Sequence, residues 1–211
     1  KSDMSCLDND AFNKIKKGGR IYFVGIGGYS MFGLAMICMS LGYEVCGCDA
    51  EKSQRTSQLE NLRVKVFHSH EESNIDRCRP DLIVYSAAVP ENNPELKRGS
   101  DLNIPEYERS YFLGSLNRLY KRVINIAGTH GKTTTTTICS LILEESKIQH
   151  TAHIGAMVES WGSTVRISAS DDLFVSEACE YNSSFLRFFS TTAAILNIDL
   201  DHVDCFPTID D

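Results

Sequence analysis

The chain has 211 residues, 42% of them hydrophobic and 23% charged, ordinary values for a soluble folded protein that holds one large domain or two small ones. Its formal net charge of -7 argues against a nucleic-acid surface, which needs a basic stripe; the basic residues are scattered, as at Lys14, Lys16, Lys17 and Arg20. Eight cysteines form no C-x-x-C pair and follow no signal peptide, so they read as reduced, mostly buried thiols of a cytoplasmic protein and not as a disulfide framework.

In chain order, the first strand is expected at Arg20–Gly25 and the first helix at Ser30–Leu41. The stretch from Ile21 to Tyr43 carries no charge, but Gly25, Gly27, Gly28 and Gly33 interrupt it. Its first half is rich in strand formers and its second half is helix-like. A buried strand, a glycine turn and a buried helix account for it better than a membrane span. The turn Gly25-Ile26-Gly27-Gly28-Tyr29-Ser30 reads G-x-G-x-x-S and lacks the last glycine of the dinucleotide fingerprint. With Asp49 ending the next strand, it fits a nucleotide-phosphate turn plus an acidic contact to ribose or base; a tight structural turn fits as well. The missing glycine favours a nucleotide other than NAD.

Further strands are expected at Tyr43–Cys48, Val64–Phe67 and Asp81–Ser86, and helices at Ser53–Asn61, Pro94–Gly99 and Glu106–Leu119. A domain boundary falls near Leu119, dividing the chain into residues 1–118 and 119–211. A second series then begins with strand Val123–Ala127 and helix Lys132–Ser146. Strands near Thr151–Ile154, Thr164–Ser168, Leu173–Ser176 and Ala193–Ile198 follow. Alternation of strand and helix implies an α/β fold with parallel sheets.

Between the first strand and helix of that second series lies the most informative run, Gly128-Thr129-His130-Gly131-Lys132-Thr133-Thr134. Strand, glycine-bracketed loop and helix make a phosphate loop. Loop N–H groups and the helix N-terminus face an anion, Lys132 reaches the outer phosphates, and Thr133 offers a hydroxyl to Mg²⁺. The common pattern G-x-x-x-x-G-K-[ST] wants glycine at position 126, where this chain has Ile126, so the loop is the shorter G-x-x-G-K-T. ATP is the expected guest.

Two acidic clusters stand at later strand ends: Glu177-Ala178-Cys179-Glu180, and Asn197 to Asp204 with Asp199, Asp201, His202 and Asp204. In an open parallel sheet ligands collect outside the carboxyl ends of the strands, where such carboxylates can hold Mg²⁺ against phosphates. Solvated turns are the plain alternative. The spacing of Cys179, His202 and Cys205 fits no familiar zinc template.

Several stretches resemble the Mur ligases of peptidoglycan precursor synthesis: FVGIGGYSMFGLA from Phe23, SAAVPENNPE from Ser86, GTHGKTTTT from Gly128, SEACEYNSSFL from Ser176 and NIDLDHVD from Asn197. The resemblance implies a Rossmann-like N-terminal domain for a UDP-sugar, then the first part of a P-loop-type central ATPase domain. The family's C-terminal domain is expected to be absent from this chain, which ends at Asp211. It implies ATP-driven joining of L-alanine to the lactyl carboxylate of UDP-N-acetylmuramate through an acyl phosphate. A tripeptide-recycling ligase and a catalytically silent UDP-sugar-binding fragment are the alternatives. Carried over by position, Gly25, Gly27 and Gly28 face the UDP diphosphate, Asp49 lies near the uridine end and Ser86 at a neighbouring strand end. Residues 128–134 bind ATP, Lys132 takes the γ-phosphate, and Thr133, Glu177 and His202 hold Mg²⁺. Lys132, Glu177 and His202 are thereby the expected catalytic set. No nucleic-acid or membrane partner is implied, and the oligomeric state is open. Departures from the family pattern are Ser30 and Phe32, where Gly and Ser are common, and Cys179 and Tyr181 in a segment usually reading E-A-D-E-S.

Overall fold

The computed structural model describes residues 10–178 and 187–199. The chain divides into two compact units, Lys1–Phe112 and Leu113–Asp211, each built on its own five-stranded sheet.

The first unit contains strands β1 (Arg20–Val24), β2 (Glu44–Cys48), β3 (Lys65–Phe67), β4 (Leu82–Tyr85) and β5 (Glu106–Glu108). They run in the order β3-β2-β1-β4-β5, every neighbouring pair parallel. Around them lie helices α1 (Ala11–Lys14), α2 (Tyr29–Ser40), α3 (Gln54–Asn61), α4 (Glu72–Cys78) and α5 (Pro94–Asp101), and helix α6 (Arg109–Asn117) spans the division between the units. β1 is central and apolar on both faces, with Ile21, Tyr22, Phe23 and Val24 fully buried, as a strand covered by helices on both sides must be. The uncharged stretch resolves into β1, a glycine turn and α2, whose Met31, Phe32, Leu34, Ala35, Ile37 and Cys38 are buried. Among the described residues no helix is long and apolar enough to cross a membrane. Helix starts follow local chemistry. Ser53 caps α3 in a reciprocal pair with Thr56, and Asn93 caps α5 ahead of Pro94, each cap worth about 1 kcal/mol.

The second unit comprises β6 (Arg122–Ala127), helix α7 (Lys132–Glu145), β7 (Thr151–Val158), β8 (Ser163–Arg166), β9 (Leu173–Ala178) and β10 (Thr192–Ile195). Its sheet runs β10-β6-β9-β7-β8. All neighbours are parallel except β8, which returns antiparallel to β7 after a short connection. The α/β expectation of stacked βαβ units holds, with that hairpin as its one exception in this sheet.

Helix α1 was not expected, β7 runs on to Val158, and further details differ from expectation. The segment 106–119 is not a single helix: Glu106–Glu108 pairs with β4 as an edge strand and the helix begins at Arg109. With two glutamates in three residues and only Tyr107 buried, that strand carries no apolar alternation to betray it. Helix α4 was not expected, because its apolar contribution is only Ile75 and Cys78, one turn apart. Strand β9 extends to Ala178, so Glu177 sits within the strand and not after it. The five described cysteines, Cys38, Cys46, Cys48, Cys78 and Cys139, are free thiols; Cys6, Cys179 and Cys205 lie outside the described residues.

His150, between α7 and β7, is fully buried. Its Nδ1 donates to the Ile148 carbonyl and its Nε2 lies 2.6 Å from the Ser140 hydroxyl, the pattern of a neutral ring accepting from serine. Burial holds its pKa below the usual histidine value. The unfolded chain then takes up a proton near pH 6.5 that the folded state resists. Stability from this site is full above that pH and is lost as pH falls through it. The thermal midpoint should drop between pH 7.5 and 5.5, and drop less in His150→Gln; equal drops in both proteins would exclude His150 as the source.

Candidate functional site

In the second unit, strand register brings the expected residues together. β6 lies between β9 and β10, with Ile126 opposite Glu177 and Ala127 opposite Ile195. The loop leaving β6 therefore emerges beside Glu177 on one side and beside residues 196–199 on the other. Gly128 has φ 134° and Gly131, the residue before α7, has φ 84°. Those are left-handed conformations that a side chain disfavours. A Cβ at Gly128 would also press on the backbone nitrogen of Asn197 and on Leu196, each at 3.1 Å.

The loop is clamped along its length. Asn197 Oδ1 accepts from the His130 N–H at 2.9 Å, and its Nδ2 donates to the His130 carbonyl at 3.0 Å. Thr129 Oγ1 donates to the Asp199 carbonyl at 3.2 Å and accepts from the Asp199 N–H at 3.0 Å. His130 Nε2 lies 3.8 Å from Asp199 Oδ2, with both side chains about two-thirds exposed, a pair of little energetic weight. The amides of Thr129 and His130 are thus directed at Asn197 and not into the loop, contrary to the expectation that loop N–H groups face an anion. The amides of the first turn of α7, including Thr134, are those a helix cannot satisfy by itself.

Lys132 opens α7 and folds back, its Nζ donating to the carbonyls of Gly128 at 2.6 Å and Thr129 at 3.2 Å. The Thr133 hydroxyl lies 3.1 Å from Glu177 Oε2, and Glu177 Oε1 accepts from the Gly155 N–H of β7 at 2.8 Å. Two strands, β7 and β9, and one helix therefore fix a half-buried carboxylate against a hydroxyl. His202, Glu180, Asp201 and Asp204 lie outside the described residues.

In the first unit, the chain winds outward from β1 through β2 to β3, then returns to β4 on the other side of β1. The carboxyl ends of β1 and β4 mark the switch point where such sheets bind ligands. A cavity of about 590 Å³ opens there, lined by Gly25, Gly28, Asp49 and Ser86 together with His70 and Asn93. Gly27 lies behind it. Its N–H donates to Asp49 Oδ2 at 2.8 Å, and a Cβ at Gly27 would meet that same oxygen. The Asp49 carboxylate also accepts from the Glu51 N–H, so it holds the turn together as well as facing the cavity. The Ser86 hydroxyl accepts from the Ala88 N–H at 3.1 Å.

Sequence reasoning missed four groups at these places. Arg55 donates to the Gly27 carbonyl and lies 3.9 Å over the Tyr29 ring, and Arg109 reaches the Ser30 hydroxyl at 3.5 Å. Both put positive charge by the glycine turn. Asn197 and Gly155 act on the glycine loop after β6 and on Glu177 through bonds that only sheet order reveals.

Two family models match the chain: the Mur ligase family catalytic domain over residues 20–121, and the Mur ligase middle domain over residues 126–211. The chain belongs to the Mur ligase family. It is 44% identical over 207 residues to the UDP-N-acetylmuramate–L-alanine ligase of Acetivibrio thermocellus, covering 98% of this chain and 42% of that one. It is 43% identical over 195 residues to the enzyme of that name from Clostridium kluyveri, covering 92% and 42%. The chain thus spans about two fifths of the length of these Mur ligases. Among solved structures it is similar to a UDP-N-acetylmuramate-alanine ligase from Thermotoga maritima, with TM-score 0.82, 30% identity and coverage of 90% of this chain and 44% of that one. A UDP-N-acetylmuramate:L-alanyl-γ-D-glutamyl-meso-diaminopimelate ligase from Neisseria meningitides gives TM-score 0.82, 29% identity and coverage of 91% and 64%.

The two clamp bonds of Asn197 to His130 are each worth about 1 kcal/mol. Asn197→Ala should speed hydrogen exchange at the His130 amide by about tenfold without a matching change at the buried strand amides of β6. An unchanged His130 rate would show that the loop holds its form without this clamp.

Proposed function

We propose that this Mur ligase chain carries the sugar-nucleotide-binding part and the first part of the ATP-binding part of a ligase that joins L-alanine to the lactyl carboxylate of UDP-N-acetylmuramate. The observation that carries the reading is the convergence, where strands β6 and β9 end, of the Lys132 ammonium, the first turn of α7 and the Thr133–Glu177 pair. Identity of 41–44% to curated relatives named UDP-N-acetylmuramate–L-alanine ligase supports the choice of substrates.

The residues present fit Mg²⁺. Adjacent oxygens of an octahedral Mg²⁺ site lie about 3 Å apart, given metal–oxygen distances of about 2.1 Å, and Thr133 Oγ1 and Glu177 Oε2 are 3.1 Å apart. Thr133 and Glu177 would hold the ion, with His202 as a further ligand. When bound, it neutralises charge on the triphosphate. Lys132 leaves the carbonyls of Gly128 and Thr129 to reach the γ-phosphate. First-turn amides of α7 take the neighbouring phosphate oxygens. In the first unit, Gly25, Gly27, Gly28, Asp49 and Ser86 form the sugar-nucleotide cradle, with Arg55 and Arg109 supplying charge beside a diphosphate.

The chemistry this arrangement serves is amide formation. The lactyl carboxylate attacks the γ-phosphorus, giving an acyl phosphate and ADP. The alanine amine then adds to the acyl carbon and inorganic phosphate leaves. Attack of one anion on another is the difficulty, so fixed positive charge and alignment are what the protein contributes. The cytoplasm, where ATP and the sugar nucleotide are made, is the corresponding compartment.

Phosphate release from the full-length protein with UDP-N-acetylmuramate and ATP should depend on L-alanine. Glycine, serine and the tripeptide L-alanyl-γ-D-glutamyl-meso-diaminopimelate serve as parallel arms, and preference for the tripeptide would reassign the chain to the recycling reaction. Lys132→Ala should lower turnover by about 10²–10³-fold or more, and turnover near the native rate in that variant would reject Lys132 as the phosphate-stabilising residue.

A further inference from the structure

Beside the first unit's cavity one group of side chains combines sulfur, nitrogen and oxygen ligands, and its histidine lines the cavity. Cys48 ends β2, His70 precedes α4, and Glu95 lies in the first turn of α5. Their ligand atoms converge: Cys48 Sγ is 2.9 Å from Glu95 Oε2 and 3.3 Å from His70 Nδ1, and Nδ1 is 2.7 Å from the same Oε2. Cys48 and Glu95 are fully buried, while the His70 side chain is one-third exposed and opens the group to the cavity.

As a hydrogen-bond network this arrangement is internally contested. The other carboxylate oxygen of Glu95 is well served, accepting from the Tyr22 hydroxyl and from Asn74 Nδ2. His70 Nδ1 is not. The orientation of the Asn93 amide is set by its cap, since Oδ1 accepts from the N–H groups of Glu95 and Leu96. That turns Nδ2, a donor, toward His70 Nδ1 at 3.3 Å. To accept from Asn93, Nδ1 must be without its proton; to bond Glu95, it must keep it. One ring nitrogen cannot answer both neighbours, and the thiol proton of Cys48 serves either the carboxylate or the ring.

We propose that Cys48, His70 and Glu95 form a binding site for a thiophilic divalent cation, zinc in the first instance, with its fourth position open to the cavity. A tetrahedral zinc has sulfur at about 2.3 Å and nitrogen and oxygen at about 2.0–2.2 Å, so its ligand atoms stand about 3.3–3.6 Å apart. The observed separations of 2.7 to 3.3 Å would open by about 0.3 to 0.7 Å to reach these values. Three side chains with an exposed fourth position match the ligand count of sites that keep a place for an exchangeable group. Binding is balanced by proton release: the Cys48 S–H gives its proton to solvent as the sulfur–metal bond forms, and Nδ1 binds through its lone pair, any proton on it moving to Nε2. Tyr22 and Asn74 keep their bonds to the distal Glu95 oxygen and orient the carboxylate from behind.

The test uses the 211-residue chain, reduced and freed of metal by chelator, titrated with Co²⁺ as a spectroscopic probe and then with Zn²⁺. About one equivalent of cobalt should give tetrahedral d–d bands and a sulfur-to-cobalt charge-transfer band that zinc bleaches. Cys48→Ser should abolish the charge-transfer band. His70→Gln, altered at the exposed member and so least disturbing to the fold, should weaken cobalt affinity by at least about tenfold. Zinc should raise the melting temperature of the unaltered chain and not that of His70→Gln. A charge-transfer band that persists in Cys48→Ser, or its absence from the unaltered chain at stoichiometric cobalt, overturns the assignment. These readouts involve neither ATP nor a sugar nucleotide, so they stand apart from the ligase reading.

Discussion

Parallel pairing of β6 with β9 in one register constrains everything else in the second unit. Ile126 opposes Glu177, and side chains alternate faces along a strand, so a slip of one residue would carry Glu177 to the other side of the sheet. In the observed register its carboxylate reaches the first turn of the helix that follows β6. The pairing of β10 on the opposite edge of β6 has an equal consequence. Because Ala127 and Ile195 are opposed, the chain leaving β10 runs beside the loop leaving β6, and Asn197 meets His130 without any local sequence relation between them.

The first unit solves a comparable problem with a different carboxylate. Glu177 is half-buried and shares its oxygens with one hydroxyl and one amide. Glu95 is wholly enclosed, where an unpaired carboxylate would cost several kcal/mol. It is tolerated because tyrosine, asparagine, cysteine and histidine groups all converge on its two oxygens. Its surroundings act back on those groups. Burial and the nearby carboxylate together push the Cys48 thiol well above its usual range, so the sulfur stays protonated and unreactive unless a cation takes the place of the proton.

Much of this was legible in the sequence, and the limits are physical. The glycine turn after β1 and the phosphate loop after β6 carry their conformations in residue type, because Gly128 and Gly131 occupy backbone regions that glycine favours. β1 and α2 were readable from their unbroken apolar character. Strand β5 was not, since its two glutamates and one buried tyrosine carry no alternation and only pairing with β4 makes it a strand. The Asn197 clamp, the Gly155 bond to Glu177 and the convergence of Cys48, His70 and Glu95 depend on strand order, which no local pattern encodes.

The threonine run that opens α7 shows how neighbouring hydroxyls acquire different tasks. Threonine within a helix tends to return its hydroxyl to the carbonyl four residues earlier, and Thr136 and Thr137 do so with Lys132 and Thr133. For Thr133 the equivalent acceptor is the carbonyl of Thr129, which lies in the loop and already accepts from the Lys132 ammonium, as does that of Gly128. The hydroxyl of Thr133 is thereby turned to Glu177. One lysine thus gathers carbonyls of the loop, and the adjacent hydroxyl points at the Glu177 carboxylate. The bonds of Asn197 and Asp199 to Thr129 and His130 do not involve Lys132, so they hold the loop independently of the ammonium.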